Sequence, residues 1–333
     1  MASMDIFNGS AFTATELTAR YGKFEYVPQV IAKLGLFETK GVRTTTFFVE
    51  RRDGALALIP NTHIDAPAQQ WNGNKRDVYQ FTVSRFPLQR VIRPSEIQNV
   101  RGFGSESELE SVMGVVAEKV DEMKPNHLAT LEWQRIGAIR GTVLDADGST
   151  VIENLYTRFG ISQTDVDFEL DDTATAVRTK CLTVKRTIEA GLGGLTYDGV
   201  IALCGKDFFD GIIEHADVKE AYANYATNKV LRDDPRFEGF EFAGITFREY
   251  RGNVSGNAYI PDAEAYFVPV GVPGMFITRF APADMLEFVN TAGLPMYVSQ
   301  EVLPHGKGVD ILTESLPMSI NLRPEAVVKG HHH

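Results

Sequence analysis

The longest run of helical periodicity in the chain lies between residues 105 and 141. Its apolar residues recur every three or four positions and so share one face of an α-helix; they are Leu109, Val112, Met113, Val116, Val120 and Met123. Ser105 followed by Glu108 predicts a capping box at the start of the helix. Because Pro125 interrupts the run, we expect either two helices or one bent helix, up to roughly 50 Å long.

A second amphipathic helix is predicted over residues 173–190. Its buried face would hold Val177, Cys181, Val184 and Ile188. Asp171 or Asp172 would cap the start of this helix, and Gly191 would end it. The chain then has the pattern of a buried strand at 197–205, two short helices, and a strand-rich remainder. Since helices and strands come in blocks rather than in regular alternation, the predicted class is α+β.

Two strand-like stretches surround a polar segment nearer the start of the chain. Residues 42–60 are β-branched and aromatic on both sides of Asp53-Gly54, a pair that favours a hairpin turn. Residues 61–76 are polar, and another extended run begins at Asp77. We therefore predict a long two-stranded excursion with 61–76 at its tip. Because an isolated hairpin is marginally stable in water, we expect it to pack on another surface, such as another subunit.

A further hairpin is predicted over 142–156, around Asp147-Gly148 in the stretch VLDADGSTV. Its two aspartates resemble the first ligands of an EF-hand calcium loop. That loop has glycine at position 6 and glutamate at position 12, whereas a loop starting at Asp145 has glycine at position 4 and Tyr156 at position 12. The ligand spacing fails, so we predict a turn without a metal.

Composition and charge narrow the function classes. The chain has 333 residues, of which 44% are hydrophobic and 23% charged, which is ordinary for a globular protein. A formal net charge of −11 argues against nonspecific nucleic-acid binding and against binding to an anionic membrane. The sequence has no apolar run near 18 residues and no signal-peptide pattern at its start. Cys181 and Cys204 are expected to be reduced and buried, and residues 331–333 to be a purification-tag remnant.

Motifs for catalysis, cofactor binding or metal binding do not emerge from the sequence. The segment GFGSES, 102–107, precedes a helix but lacks the third glycine of a dinucleotide loop. The histidines outside the tag do not stand at metal-ligand spacing, and neither G-x-S-x-G nor H-E-x-x-H occurs. We therefore predict no catalytic, cofactor-binding or metal residues. Lys75 and Arg76, at the tip of the excursion, either face solvent or dock on an acidic neighbour.

Seven stretches spread from Asp5 to Gly330 carry a combined resemblance: DIFNGSAF, LGLFETKGVRTTT, VRGFGSESELESV, EWQRIGAIRGTVLDADGSTVIENLYTRFG, ALCGKDFFDGIIEHADVKEAY, FVPVGVPGMFITRFAPADMLEFVNTAGLP and RPEAVVKG. Together, and in this order, they resemble the bacteriophage major capsid protein E family, the lambda-type major head proteins. Each motif is weak alone, and the match is specific because it covers nearly the whole chain.

The resemblance implies the tailed-phage major capsid protein fold, which is an α+β fold with an N-terminal arm, an extended β-hairpin loop, a peripheral domain with a long spine helix, and an axial domain. Mapped onto this chain, the expected parts are an arm at 1–42, a hairpin and extended loop at 43–88, a peripheral domain at 89–195 that returns at 284–315, and an axial domain at 196–283 with its last strand at 316–330.

The resemblance also implies a function in assembly. Copies would form hexamers and pentamers that close into an icosahedral shell around double-stranded DNA, which the shell encloses without specific binding. The expected partners are a decoration protein, a portal, and a scaffold or protease; no cofactor and no membrane is expected. The protein would be located in the virion capsid after assembly in the host cytoplasm. Another virion component and a cytosolic enzyme stay open as alternatives.

Five residues are the candidates for contacts between subunits. Trp71, Lys75 and Arg76 belong to the tip of the extended loop, and Asp147 and Gly148 to the hairpin of the peripheral domain.

Overall fold

A computed structural model describes residues 30–52, 76–99, 108–224, 239–250, 252–254 and 256–332. Several of the predicted features lie outside the described residues. These are the first 29 residues of the arm, the turn at Asp53-Gly54, the capping residue Ser105 and the glycine-containing segment 102–107.

The described residues form seven α-helices. In chain order they are α1 (Val30–Leu34), α2 (Pro94–Asn99), α3 (Glu108–Arg140), α4 (Leu155–Phe159), α5 (Val177–Leu192), α6 (Lys206–Glu214) and α7 (Ala216–Asn224).

Eighteen strands occur in the same ranges. They are β1 (Phe37–Gly41), β2 (Thr46–Arg52), β3 (Arg76–Thr82), β4 (Phe86–Ile92), β5 (Thr142–Leu144), β6 (Val151–Asn154), β7 (Thr164–Asp167), β8 (Gly199–Cys204), β9 (Phe240–Phe242), β10 (Ile245–Glu249), β11 (Asn253–Val254), β12 (Asn257–Ala258), β13 (Glu264–Val270), β14 (Phe276–Phe280), β15 (Tyr297–Val302), β16 (Val309–Ser315), β17 (Pro317–Asn321) and β18 (Val328–His331). Helices and strands are mixed in blocks, so the α+β prediction is confirmed.

Helix α3 is the long helix predicted from the apolar stripe. It runs as one element of 33 residues with Pro125 inside it, which corresponds to about 50 Å. A single helix is therefore confirmed, and the alternative of two helices is wrong. Proline removes one backbone donor from a helix, but Val120 and Leu128 are buried on either side of Pro125. Burial of these flanking side chains offsets the free-energy cost of the missing hydrogen bond, so the helix continues past the proline.

The first compact unit comprises the described parts of Met1–Phe47, Phe81–Gln134 and Ile277–Ser319. At its centre is an antiparallel sheet in the order β15-β16-β4. One face of this sheet packs on α3 and forms an apolar core of Ile92, Val115, Val116, Val120, Met296, Val298, Val309 and Ile311. Burying a side chain of this size contributes about 1.5–3 kcal/mol, so this core fixes the helix on the sheet.

His127 brings a polar group into the packing between α3 and the sheet. Its side chain is buried, and its Nε2 lies 2.9 Å from the hydroxyl of Thr313. Because the Thr313 hydroxyl donates its own proton to the carbonyl of Leu88, the ring nitrogen must be the donor toward Thr313. Burial disfavours the charged ring and lowers the pKa of His127 from 6.5 to about 4.

We expect this histidine to make folding sensitive to mild acid. Its folded-state pKa lies below its unfolded value, so the unfolded chain binds more protons between pH 6.5 and 4. Stability from this group is complete above pH 6.5 and is lost as the pH falls toward 4, by up to about 3 kcal/mol. Thermal unfolding at pH 7 and pH 5 should show a larger decrease for the wild type than for His127→Gln, which does not titrate. Equal decreases would contradict the assignment.

The second compact unit comprises the described parts of Phe48–Gln80, Arg135–Phe276 and Ile320–His333. Its sheet has six strands in the order β7-β18-β13-β8-β10-β9. The strand predicted over 197–205 is confirmed as β8, which pairs with β13 antiparallel and with β10 parallel. On the sheet lies a cluster of buried aromatic rings whose centroids are 5.2 to 6.4 Å apart, formed by Phe168, Phe208, Phe247 and Phe267.

Helix α5 confirms its predicted buried face but not its predicted ends. Its four predicted apolar residues are all 0% exposed. The helix begins at Val177 after Ala176, without a side-chain cap, and its left-handed C-cap residue is Gly193 rather than Gly191. Asp172 instead accepts a hydrogen bond from the backbone of Ala174 in the preceding turn. Gly191 serves close packing, because a Cβ there would lie 2.9 Å from the Cα of Ala326.

The end of the chain also differs from expectation. The single last strand predicted over 316–330 is wrong, because a 3-10 turn at Pro324–Ala326 separates β17 from β18, and the two strands belong to different sheets. Strand β18 extends to His331, which lies 2.8 Å from Asp165, so the first residue of the predicted tag remnant belongs to the sheet. The compact units divide within α3, between 134 and 135, whereas the predicted peripheral and axial domains divide between 195 and 196. Those domain boundaries stay predictions.

Candidate subunit interface

The five candidate contact residues come from two regions of the sequence, the extended loop and the hairpin formed by β5 and β6. Trp71 and Lys75 lie outside the described residues, and Arg76 is the first residue of β3. Asp147 and Gly148 lie in the turn between β5 and β6, which pair antiparallel. The hairpin predicted around this pair is therefore confirmed, and its role as a contact between subunits stays a prediction.

The carboxylate of Asp147 is committed to its own turn. Oδ1 accepts the backbone N–H groups of Ser149 and Thr150 at 2.9 and 2.8 Å. Oδ2 accepts the hydroxyl groups of the same two residues at 3.0 and 2.6 Å. These donors, led by the Thr150 hydroxyl, hold the pKa of the Asp147 carboxyl well below its usual range. The carboxylate thus fixes the backbone conformation of its own turn.

Glycine is required at position 148 both by the backbone conformation and by the close approach of the Asn257 side chain. Its φ is +71°, a left-handed value that glycine adopts without steric cost. A Cβ at this position would lie 2.6 Å from the side-chain oxygen of Asn257. Asn257 in turn donates to the carbonyl of Ala146 at 3.2 Å. The small hairpin β11-β12 therefore packs against this turn and fixes its orientation within the second unit.

Calcium titration tests the choice between a turn and a metal loop. Because four protein donors already occupy the Asp147 carboxylate, we expect isothermal titration of the protein with calcium chloride to give no saturable heat. Asp147→Ala should slightly lower the unfolding temperature and leave the calcium titration unchanged. A saturable signal in the wild type that disappears in Asp147→Ala would establish a metal site instead. Among the residues that the structure describes, no three His, Cys, Asp or Glu side chains are grouped as metal ligands.

The excursion predicted around residues 61–76 leaves and re-enters the protein through a ribbon of two paired strands, β2 and β3. The strand predicted from Asp77 is confirmed as β3, which pairs with β2. Residues 55–60, the extended run predicted before the tip, lie outside the described residues. One face of this ribbon is fixed by contacts within the second unit. Arg51 pairs with Glu325 at 2.6 Å and lies over the ring of Phe159, 5.3 Å from the ring centroid. Tyr79 packs edge-on against the same ring at 4.7 Å. The ribbon that brackets residues 53–75 is therefore a firmly packed element.

The other face of the ribbon exposes large apolar side chains. Phe48 is 66% exposed and Val78 is 59% exposed, while the adjacent Phe47 and Phe81 are buried and stacked at 5.9 Å. Alternation along a strand places Phe48 and Val78 on the side away from the core. The exposure of these two large apolar side chains makes this face of the ribbon a candidate contact surface for another chain.

Phe48 and Val78 were not among the sequence-derived candidates. The signal was present in TFFVERR, because period two places Phe47 and Val49 on one face and Phe48 on the other. The continuous apolar run hid it, since such a run is equally typical of a strand that is buried on both faces.

The two cysteines and His215 are engaged in the fold. Cys181 and Cys204 are free and buried, as predicted, and burial raises the pKa of the Cys181 thiol to about 12. His215 accepts from the backbone of Asp217 and lies 3.1 Å from the carbonyl of Asp172. These three side chains thus serve the interior of the second unit. Within the described ranges, no helix combines the length and the apolarity that a membrane crossing requires.

Comparisons with known proteins place the whole chain among capsid proteins. A family described as "Phage major capsid protein E" matches residues 13–331. The chain is 31% identical over 340 residues to the major capsid protein of Pseudomonas phage KPP10, with 96% of both chains covered. It is 23% identical to the major capsid protein of Salmonella phage Felix O1, again with 96% of each covered.

Solved structures agree on the fold. The putative capsid protein of a prophage of E. coli CFT073 superposes with a TM-score of 0.57 at 11% identity, covering 96% of this chain and 99% of that one. The mature capsid of bacteriophage PhiM1 gives a TM-score of 0.51 at 12% identity, with coverages of 93% and 89%. At such identities the similarity concerns the fold alone, and it confirms the expected tailed-phage capsid fold.

Proposed function

Because the chain belongs to the phage major capsid protein E family, we propose that copies of it assemble as hexamers and pentamers into an icosahedral shell that encloses double-stranded DNA. The family consists of virion structural proteins, and shell assembly from many copies of one chain follows from membership. The work proposed for the subunit is structural, with no catalytic step.

One structural observation carries the assembly proposal. The ribbon β2-β3 is packed on one face and exposes Phe48 and Val78 on the other, at the base of a 23-residue excursion between Arg52 and Arg76. A monomeric protein gains little from a long polar excursion carried on an exposed apolar ribbon, whereas a neighbouring subunit would bury both. Specific interfaces need about 800 Å² from each partner, and the excursion extends the area that one subunit can offer.

Charge supports the enclosure of DNA without specific binding. A net charge of −11 gives no long-range attraction to phosphate. A shell that bound DNA tightly would slow both its packaging and its release. We therefore propose that the DNA is held by the closed wall rather than by contacts with this chain.

The proposed partners are a decoration protein, a portal, and a scaffold or protease, with assembly in the host cytoplasm. The proposed contacts between subunits are Trp71, Lys75 and Arg76 in the excursion, together with the Asp147-Gly148 turn. Since Asp147 is saturated within its own turn, this hairpin would contribute shape rather than a free charge.

Negative-stain electron microscopy of the purified chain tests the proposed function. We expect closed shells, or rings of six and five copies, in micrographs of concentrated protein. Size-exclusion chromatography with light scattering on the same samples should give masses far above 36.9 kDa. A strictly monomeric or dimeric species at every concentration would overturn the proposal.

A further inference from the structure

Helix α5 carries a basic strip beside its buried face. Residues three and four positions apart lie together on a helix, so Arg178, Leu182, Lys185 and Arg186 form one surface. Both arginines are exposed, Lys185 is half-buried and Leu182 is 40% exposed. We call these four residues the basic strip, which presents three cations around one exposed apolar side chain.

The cations of the basic strip are not compensated within the described part of the chain, where none of the three forms an ion pair. Lys180, on another side of the same helix, does pair with Glu169, at 3.0 Å. The one carboxylate of α5, Glu189, accepts the hydroxyl of Tyr197. Because the chain as a whole has a net charge of −11, the strip is a local exception that an acidic partner would offset.

The position of Arg178 makes its charge unfavourable to its own helix. Arg178 is the second residue of α5, and the first turn contains no acidic residue. The N-terminus of a helix carries a partial positive charge, so a cation destabilises it. A carboxylate of a partner beside Arg178 would remove this cost.

Helix α6 shows the reverse arrangement. Asp207, Asp210 and Glu214 recur at three and four positions, share the outer face of the helix and are all exposed. None of them forms an ion pair among the described residues. Glu214 is the last residue of α6, and the last turn contains no basic residue, although the C-terminus of a helix disfavours an anion. We call these three residues the acidic stripe.

The basic strip and the acidic stripe match in length. Arg178 and Lys185 are seven residues apart, as are Asp207 and Glu214, and seven residues of α-helix rise by about 10.5 Å. In antiparallel packing, the N-terminal end of one helix lies beside the C-terminal end of the other. This orientation brings Arg178 to Glu214 and Lys185 to Asp207, and it also places opposite ends of the two helix dipoles together.

We propose that α5 of one copy docks antiparallel on α6 of a second copy, so that the basic strip meets the acidic stripe. Arg178 pairs with Glu214, Lys185 pairs with Asp207, and Leu182 is covered between these two ion pairs. Within the described part of one chain, no ion pair joins the strip to the stripe, so both surfaces are open to a neighbour.

This inference rests on the proposed shell function and gives one contact of the ring a geometry. The strip and the stripe are two different surfaces of one chain, so their contact between copies is head-to-tail. Such contacts close into rings when the rotation between copies allows it. Because both helices belong to the second unit, this unit would repeat the same contact around the ring.

Two single charge reversals test the docking. Arg178→Glu places an anion at the N-terminus of α5, and Glu214→Lys places a cation at the C-terminus of α6. Both changes favour the isolated helix, so the unfolding temperature of the unassembled subunit should equal or exceed that of the wild type. Both also bring like charges together in the interface, so we expect each to lower the assembled fraction at least about tenfold. A purely structural role would instead lower stability and assembly together.

Lys307→Glu is the matched control. It makes the same change of net charge as Arg178→Glu at an exposed position between β15 and β16 in the first unit, and its assembled fraction should stay near the wild-type value. The neutral variants Arg178→Gln and Glu214→Gln should give smaller losses than the reversals, in the same direction. Sedimentation velocity would measure the assembled fraction, and negative-stain microscopy the number of copies in each ring.

Two recombinations complete the experiment. The double variant, with Arg178→Glu and Glu214→Lys in one chain, should recover assembly. A 1:1 mixture of the two single variants should recover it too, because each reversed strip then meets a reversed stripe on another copy. In that mixture, rings with an even number of copies should form, since an odd ring keeps at least one repulsive contact.

The outcomes separate the possibilities. Losses no larger than that of Lys307→Glu would overturn the docking and leave the shell function standing. Recovery in the double variant without recovery in the mixture means that the two helices pair within one chain, and overturns the proposal. A lowered unfolding temperature in both reversals would assign the two residues to the fold and overturn it as well. Failure of the wild type to assemble under any condition overturns the shell function and the docking with it.

Discussion

Deletion of residues 61–76 is expected to leave a folded subunit that no longer closes shells. The strands on either side of the segment are held by contacts that do not involve it, namely the stacking of Phe47 on Phe81 and the ion pair of Arg51 with Glu325. Loss of the segment should therefore change the unfolding temperature little. If the excursion reaches a neighbour, its loss removes one partner's share of a contact repeated in every subunit. The assembled fraction should fall by about a hundredfold or more, since two orders of magnitude correspond to only about 2.7 kcal/mol per contact.

A replacement of equal length separates the effect of the segment's length on assembly from the effect of its side chains. Replacing 61–75 with an equal length of Gly and Ser keeps the chain length and removes Trp71 and Lys75. We expect this variant to fail in assembly nearly as severely as the deletion. Analytical ultracentrifugation and negative-stain microscopy would measure both variants beside the wild type. Normal shells from the deletion would refute the role given to the excursion.

Local periodicity allowed much of the fold to be predicted. The stripe containing Val116 and Val120 predicted α3, and that of Val177 to Ile188 predicted α5, because a helix that packs on one face must repeat near 3.6 residues. The apolar run ending at Cys204 predicted β8. These elements were visible since each carries its own burial pattern within a short window.

Tertiary packing determines the features of the fold that local periodicity does not predict. Pro125 is tolerated inside α3 because the flanking side chains are buried, and the start of α5 is set by the turn at Asp172 rather than by an aspartate cap. The pairing of β8 with β13 joins residues more than sixty positions apart. Propensity at a single position contains no information about such partners.

The candidate interface likewise has features that the sequence predicts and features that it does not. The turn at Asp147-Gly148 was predictable, since a left-handed backbone and an aspartate acceptor are local requirements. The packing of Asn257 against this turn was not, because Asn257 lies 111 positions from Ala146, and only folding brings its side chain to the Ala146 carbonyl. The exposure of Phe48 is consistent with the period-two pattern of its strand. The sequence alone does not distinguish this strand from one buried on both faces, whereas the burial of Phe47 and Val49 in the structure does.

The aromatic cluster of the second unit should be the most sensitive site for folding. Phe267 is 0% exposed, stacks on Phe168 at 5.3 Å and meets Phe208 and Phe247 edge-on. The Cβ that a side chain would add at Gly330 lies 2.8 Å from the Phe267 ring, so the neighbouring strand is closely packed against this ring. We expect Phe267→Ala to lower the free energy of unfolding by about 3–5 kcal/mol, because it removes the buried ring and leaves a cavity that rigid neighbours cannot fill.

Phe48→Ala is the matched control, since it removes the same ring from a position that is 66% exposed. Its effect on the free energy of unfolding should stay within about 0.5 kcal/mol, while its effect on assembly should be clear if a neighbour covers the ribbon. Urea unfolding of both variants in the background lacking 61–76 keeps the subunits apart during the measurement. An equal loss of stability in the two variants would contradict the burial that separates them. A stable Phe267→Ala protein would mean that the cluster repacks around the cavity, and that the six-stranded sheet is held mainly by its backbone pairing.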